Sequence, residues 1–168
     1  VSRSQAALMA SGASLTRDQA ARFLTQATFG PTPEAVARLM AQGYDAWIDE
    51  QMDLPPSASS HVEDWDAADA MLKTLTDGQR ASSGETTSSF WRQALSAQDQ
   101  LRQRMAFALS EIFVVSMRDS CGDNAYSRGV ADYLDMLGRQ AFGSYRDLIE
   151  SVALHPIMGC YLSHMKNL

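Results

Sequence analysis

Four side chains near the C-terminal end, His155, Met158, His164 and Met165, combine imidazole with thioether, the atom types that hold haem iron or copper. Met158 and Met165 lie a heptad apart and share one face of a helix begun at Pro156, a spacing that serves core packing more often than ligation. His155 falls at a helix junction. Glu111 sits in the apolar run from Met105 to Met117, where burial would raise a carboxyl's pKa and make it a proton donor near neutrality. The plainer reading pairs Glu111 with Arg92 or Arg146, or turns it into a groove. Arg102 and Arg104 with Asp99 read as a solvated face near a helix start. Trp47, Trp65 and Trp91 could stack on carbohydrate, yet each lies in an apolar stripe and reads as a core anchor. Cys121 and Cys160 have no C-x-x-C partner for a zinc or redox site. No H-E-x-x-H, G-x-S-x-G, P-loop or G-x-G-x-x-G string occurs. No constellation specifies a reaction, so no catalytic, cofactor-binding or metal residue is assigned and no cofactor is expected.

The elements that must position these groups are helices. Thr16-Arg17-Asp18-Gln19 is a capping box, and Ala20, Phe23, Leu24 and Ala27 behind it recur at i, i+3, i+4, i+7 until Gly30-Pro31. Thr32-Pro33-Glu34 supplies an N-cap, a proline at the first helical position and an acid at the positive dipole end; Val36, Leu39 and Met40 follow before Gly43. Tyr44, Trp47, Ile48 and Met52 give a third helix that Leu54-Pro55-Pro56 ends. After a connector at Ser57–Ser60, Val62, Trp65, Ala68, Leu72 and Leu75 predict a fourth. Thr76 to Ser89, rich in Thr, Ser and Gly, reads as a long protease-sensitive loop. Phe90, Trp91, Ala94 and Leu95 open the second half, and Ser96-Ala97-Gln98-Asp99 reads as the cap of the longest helix. Met105 to Val115 is apolar on nearly every side, which predicts a central buried helix. Arg118 to Asn124 is a polar turn; Val130, Tyr133, Leu134 and Leu137 carry the next helix. Ser144 and Asp147 cap its successor, and His155-Pro156 breaks the chain before a final helix through Ile157, Tyr161 and Met165.

No run of alternating β-branched residues appears, so the fold class is all-α: an irregular multi-helix bundle packed around one central apolar helix. Residues 1–14 read as a weakly ordered leader and 15–168 as one helical domain. The chain's 168 residues suffice for a core without metals or cross-links. Hydrophobic residues at 45% and a formal charge of −6 are globular and acidic, which weighs against nucleic acid as a partner. No stretch approaches the roughly 20 apolar residues of a membrane span. Val1 follows no export-signal pattern and reads as internal to a longer precursor, while the uncapped end at Leu168 reads as continuing.

Several strings together resemble the bacterial domain of unknown function 1800 family. They are Ala20–Thr32 (AARFLTQATFGPT), Gly43–Gln51 (GYDAWIDEQ), Leu101–Ser110 (LRQRMAFALS), Tyr133–Leu137 (YLDML), and the stretch from Tyr145-Arg146-Asp147-Leu148 to His155-Pro156-Ile157-Met158. The resemblance runs in order from Leu15 onward. It implies a largely helical protein, commonly exported to the periplasm or secreted, several hundred residues long, and often encoded beside a second exported family. The present chain would then be the N-terminal part of a larger helical unit. Its expected partners are the C-terminal remainder of its own polypeptide and a neighbouring exported protein, in a scaffold or interaction role. The alternative is half of an extracytoplasmic enzyme, a hydrolase, with its active site shared with the C-terminal part. Some members carry a Phe-Trp-x-x-His-Phe pattern aligning with Ala108 to Phe113. Ile112 stands at that histidine position here, so no acid-base or ligand role carries over. In an exported protein, a Cys121–Cys160 bridge would restrain the unfolded chain by about 4 kcal/mol; two separate thiols are the other reading.

Overall fold

A computed structural model describes residues 15–56, 60–76, 79–117 and 126–163. Among the described residues every regular element is a helix, as the 3.6-residue periodicity predicts. The chain divides into two compact units, Val1–Glu50 and Gln51–Leu168. The expected leader at 1–14 and the polar turn at 118–124 lie outside the described residues.

The first unit is built by its caps. Helix α1 (Arg17–Ala27) starts on the Thr16–Gln19 capping box, and α2 (Pro33–Gln42) starts on Thr32, whose hydroxyl accepts from the Ala35 N–H at 3.2 Å. Gly43 closes α2 at φ +83°, a conformation that would strain any side chain with a Cβ. Helix α3 (Tyr44–Asp53) begins at the next residue. Leu24 and Leu39 are fully buried, and the Phe23 ring meets Tyr44 and Trp47 at 4.8 and 5.3 Å between centroids. Arg38 and Gln42 both bond the Glu50 carboxylate.

The second unit holds α4 (His61–Leu75), α5 (Ser83–Ser96), α6 (Gln100–Ile112), α7 (Tyr126–Gln140), α8 (Tyr145–Leu154) and α9 (Pro156–Tyr161). Its innermost element is α7, which packs against α4, α5, α6, α8 and α9. Val130, Ala131, Tyr133, Met136 and Leu137 are buried along it. Tyr133, Met136 and Leu137 form one cluster with Leu148, Val152 and Met158, while Ala131 joins Trp65 and Ala81 in a second. The Tyr133 hydroxyl donates to the Phe113 carbonyl at 2.8 Å, and burial pushes its phenol up to about 12.

Three expectations are corrected. The central position belongs to α7 and not to Met105–Val115: on α6 only Arg102 is buried, and Ile112 is 69% exposed. Leu109, Phe113 and Val115 do pack on the core, but Met105, Ile112 and Val114 of that run are exposed. The Thr76–Ser89 segment is not one long loop, because Ser82 and Glu85 form a capping box that starts α5 at Ser83. The helix α6 starts on Asp99 without a side-chain cap bond, Ser96 being the last residue of α5. At 13 residues α6 is also shorter than α4 and α7, which have 15 each.

Candidate functional site

The polar core of the second unit begins with the residues that the Ser- and Thr-rich composition had hidden. Thr86, Ser89 and Gln93 recur at helical spacing along α5, and all three are buried. Each has a partner. The Thr86 hydroxyl donates to the Ser127 carbonyl at 3.0 Å, and the Ser89 hydroxyl donates to Asp64 Oδ2 at 2.6 Å. Ser89 Oγ lies 2.8 Å from His61 Nδ1, and the Gln93 amide lies 3.4 Å from Ser89 Oγ and 3.2 Å from Nδ1.

Asp64 is paired with Arg92 at 3.0 Å, so it accepts, and the single Ser89 proton is committed to it. His61 Nδ1 then faces two groups of opposite demand, the Ser89 oxygen, which accepts, and the Gln93 amide nitrogen, which donates, so the ring's tautomer follows whichever of the two it serves. Nε2 makes no hydrogen bond with any described residue. Burial pulls the His61 pKa below its ordinary value, opposed by the nearby charges of Asp135 and Asp64, so the ring is neutral at pH 7.

His61 is 5% exposed and lines a half-open cavity of about 160 Å³ between α4, α5, α6 and α7. Asp135 of α7 forms part of the wall and receives the first two amides of α4, the N–H groups of His61 and Val62, at 2.8 and 3.0 Å. This carboxylate caps a helix distant in sequence. Across the cavity stand Arg102 and Gln103 of α6 and Arg139 of α7. Arg102 is 8% exposed and donates to two carbonyls, of Gly138 at 3.2 Å and Leu54 at 3.0 Å, while its guanidinium lies 4.7 Å from the Phe142 ring centre. Its nearest carboxylate, Asp99, is 3.6 Å from Nε, and Nε makes no hydrogen bond. Arg139 is exposed and lies 4.0 Å from Asp132.

Outside, α5 and α6 carry a second feature. Trp91 is 53% and Leu95 74% exposed, one turn apart on α5, and Met105 and Ile112 are exposed a heptad apart on α6. Phe90 links the two helices, its ring 5.2 Å from Trp91 and 5.8 Å from Phe107.

The residues singled out from sequence are therefore dispersed. Trp47 and Trp65 are core anchors as expected, but Trp91 is not. Arg102 and Asp99, read as solvated, are buried, because the guanidinium ties α6 to Leu54 and Gly138; Arg104 lies over the Phe107 ring. Glu111 is exposed and makes no ion pair with a described residue, while Arg92 serves Asp64. His155 caps α9 through Nδ1, which accepts from the Ile157 N–H, and Met158 packs on Tyr133 and Val152, so both are structural. His164 and Met165 lie outside the described residues. Cys160 is disulfide-bonded; Cys121, the chain's other cysteine, lies outside the described residues. No helix of the described residues is long and apolar enough to cross a membrane, and no group of three His, Cys, Asp or Glu among them is arranged to hold a metal.

Sequence reasoning missed His61 entirely. Its partners Ser89 and Asp135 lie 28 and 74 residues away, and no short spacing encodes them. Compared with known proteins, residues 22–168 match the model of one family, described as protein of unknown function (DUF1800). No curated protein and no solved structure matches the chain.

Proposed function

The chain belongs to DUF1800, a family of proteins of unknown function, and from that premise we propose that it is an exported helical interaction module. Its α5–α6 face packs against further helices of its own polypeptide or of a neighbouring exported protein. The observation that carries this reading is the exposure of Trp91 and Leu95, one turn apart on α5, beside the Phe90 ring that meets Phe107 of α6. Large apolar side chains gathered on adjacent helices mark surfaces that another body covers, and tryptophan is the side chain most enriched at the energetic centre of such contacts. A periplasmic or secreted location is supported by the disulfide at Cys160, since such bonds persist in oxidising compartments.

The test is the association state of the 168-residue chain by light scattering over a concentration series. The reading expects self-association that Trp91→Ser with Leu95→Ser abolishes without loss of helicity. A monodisperse wild-type monomer that melts cooperatively would overturn it.

The second reading, half of an extracytoplasmic hydrolase whose active site is shared with a C-terminal part, draws on one observation. His61 lines a cleft and its Nε2 has no hydrogen bond among the described residues, a position from which an imidazole can exchange a proton with a bound group. The two readings separate by substitution: loss of His61 leaves association intact, and loss of Trp91 leaves the cavity intact.

A further inference from the structure

We infer that the half-open cleft between α4, α5, α6 and α7 binds a carboxylate, held between Arg102 and Arg139 with His61 Nε2 as its hydrogen-bonding partner. The inference stands apart from the docking reading and uses none of the α5–α6 outer face.

The sign of the ligand follows from which charges are already matched. Asp135 is the cavity's only acid among the described residues, and its two oxygens are taken by the His61 and Val62 amides at the positive end of α4. The two cations are matched loosely. Arg102 is buried yet hydrogen-bonds only neutral carbonyls, with Asp99 at 3.6 Å, and Arg139 faces Asp132 at 4.0 Å. A buried guanidinium ordinarily has a carboxylate in hydrogen-bond contact, and a planar fork matches the geometry of a carboxylate.

Proton linkage follows from the imidazole. A carboxylate is an acceptor and an anion, so it meets Nε2 through an N–H and favours the ring carrying both protons, the second entering from solvent. His61 plus H⁺ plus the carboxylate becomes imidazolium hydrogen-bonded to carboxylate; no bond of the ligand changes. Asp64 behind Ser89, with Arg92 on it, favours the added charge from α4 and α5. Asp135 of α7 favours it too, whereas Arg102 and Arg139 oppose it until the anion neutralises them. Binding should therefore tighten as pH falls towards the His61 midpoint.

The experiment is NMR of the imidazole Cε1–Hε1 signals of the full chain, which has three histidines, titrated from pH 8 to 5 in sodium acetate and in sodium chloride of equal ionic strength. The His61 midpoint should rise saturably with acetate by about one pH unit, the linkage equivalent of tenfold tighter binding to the protonated form. His155 should behave alike in both salts. Arg139→Gln, at an exposed position, should weaken acetate roughly two- to fivefold, the worth of one screened charge. His61→Gln should remove the pH dependence. An identical His61 midpoint in acetate and chloride would overturn the assignment, as would equal movement of all three histidines. The comparison of salts on wild type decides the matter even if His61→Gln fails to fold.

Discussion

Two glycines on α7 make opposite predictions for the same substitution. Gly129 and Gly138 both lie within the helix Tyr126–Gln140, where replacing glycine by alanine gains about 0.8–1.0 kcal/mol of helix propensity. A Cβ at Gly138 meets nothing within 4 Å, so Gly138→Ala should keep that gain. A Cβ at Gly129 would lie 2.4 Å from Ile157 Cδ1 and 2.8 Å from its Cγ1. Ile157 cannot swing aside freely, because it is 7% exposed and clustered with Tyr126 and Val130. Overpacking of a filled site costs about 1–3 kcal/mol. Set against the propensity gain, Gly129→Ala should destabilise by about 1 kcal/mol, and the two variants should differ by about 2 kcal/mol.

Urea denaturation followed by far-UV circular dichroism measures both, provided that the slope of the transition is unchanged. A double-mutant cycle isolates the cause. Ile157→Val removes Cδ1, the closer of the two atoms, at a cost of about 0.5–1.5 kcal/mol alone. In the Gly129→Ala background it should cost less or become favourable, a coupling of about 1 kcal/mol. If Gly129→Ala stabilises as much as Gly138→Ala, the α7–α9 contact is looser than described and the packing argument fails.

Two further outcomes follow from groups already placed. Burial lowers the pKa of both His61 and His155, so the unfolded chain takes up protons near pH 6.5 while the folded one does not. Stability should fall as pH drops below about 7, and His61→Gln should flatten that slope in thermal melts from pH 8 to 5.5; an unchanged slope would mean that His61 is not buried neutral. The disulfide at Cys160 should appear as a mass 2 Da below that of the reduced chain, and its reduction should cost about 4 kcal/mol if Cys121 closes the loop. Two freely alkylated thiols in the native protein would remove both expectations.

What the sequence made legible was local. The Thr16–Gln19 box, Thr32 with Pro33, Gly43, Ser144 with Asp147 and the His155-Pro156 break all act within four residues of themselves, and each ends or begins a helix where expected. The interior was less legible, because burial depends on which face meets a partner distant in sequence. The run from Met105 to Val115 carries enough apolar residues for a central rod, yet it turns one seam inward and shows Met105 and Ile112 to solvent. Conversely, α7 dilutes its stripe with Arg128, Asp132, Asp135 and Arg139 and still lies innermost. Asp99 and Arg102 mislead for a related reason: charge reads as surface unless its partners are known, and those of Arg102 are carbonyls 36 and 48 residues away.

The candidate site was hidden by the feature that makes it a site. Thr86, Ser89 and Gln93 follow the i, i+3, i+7 period of a buried helix face, but written in hydroxyls and an amide, so composition alone reads them as a loop. A polar stripe turned inward forgoes apolar burial and is tolerated only if every group is satisfied. Here the satisfaction is directional. Ser89 has one proton and Asp64 takes it, so Nδ1 of His61 is engaged by Ser89 and Gln93 while Nε2 has no hydrogen bond among the described residues. Leucine and alanine at these positions would have packed α5 onto α4 more simply and with no such consequence for the ring. Where a seam accepts polar groups in place of packing and the result is one uncommitted nitrogen beside a cavity, the departure from the apolar rule is the strongest pointer to function that this unit contains.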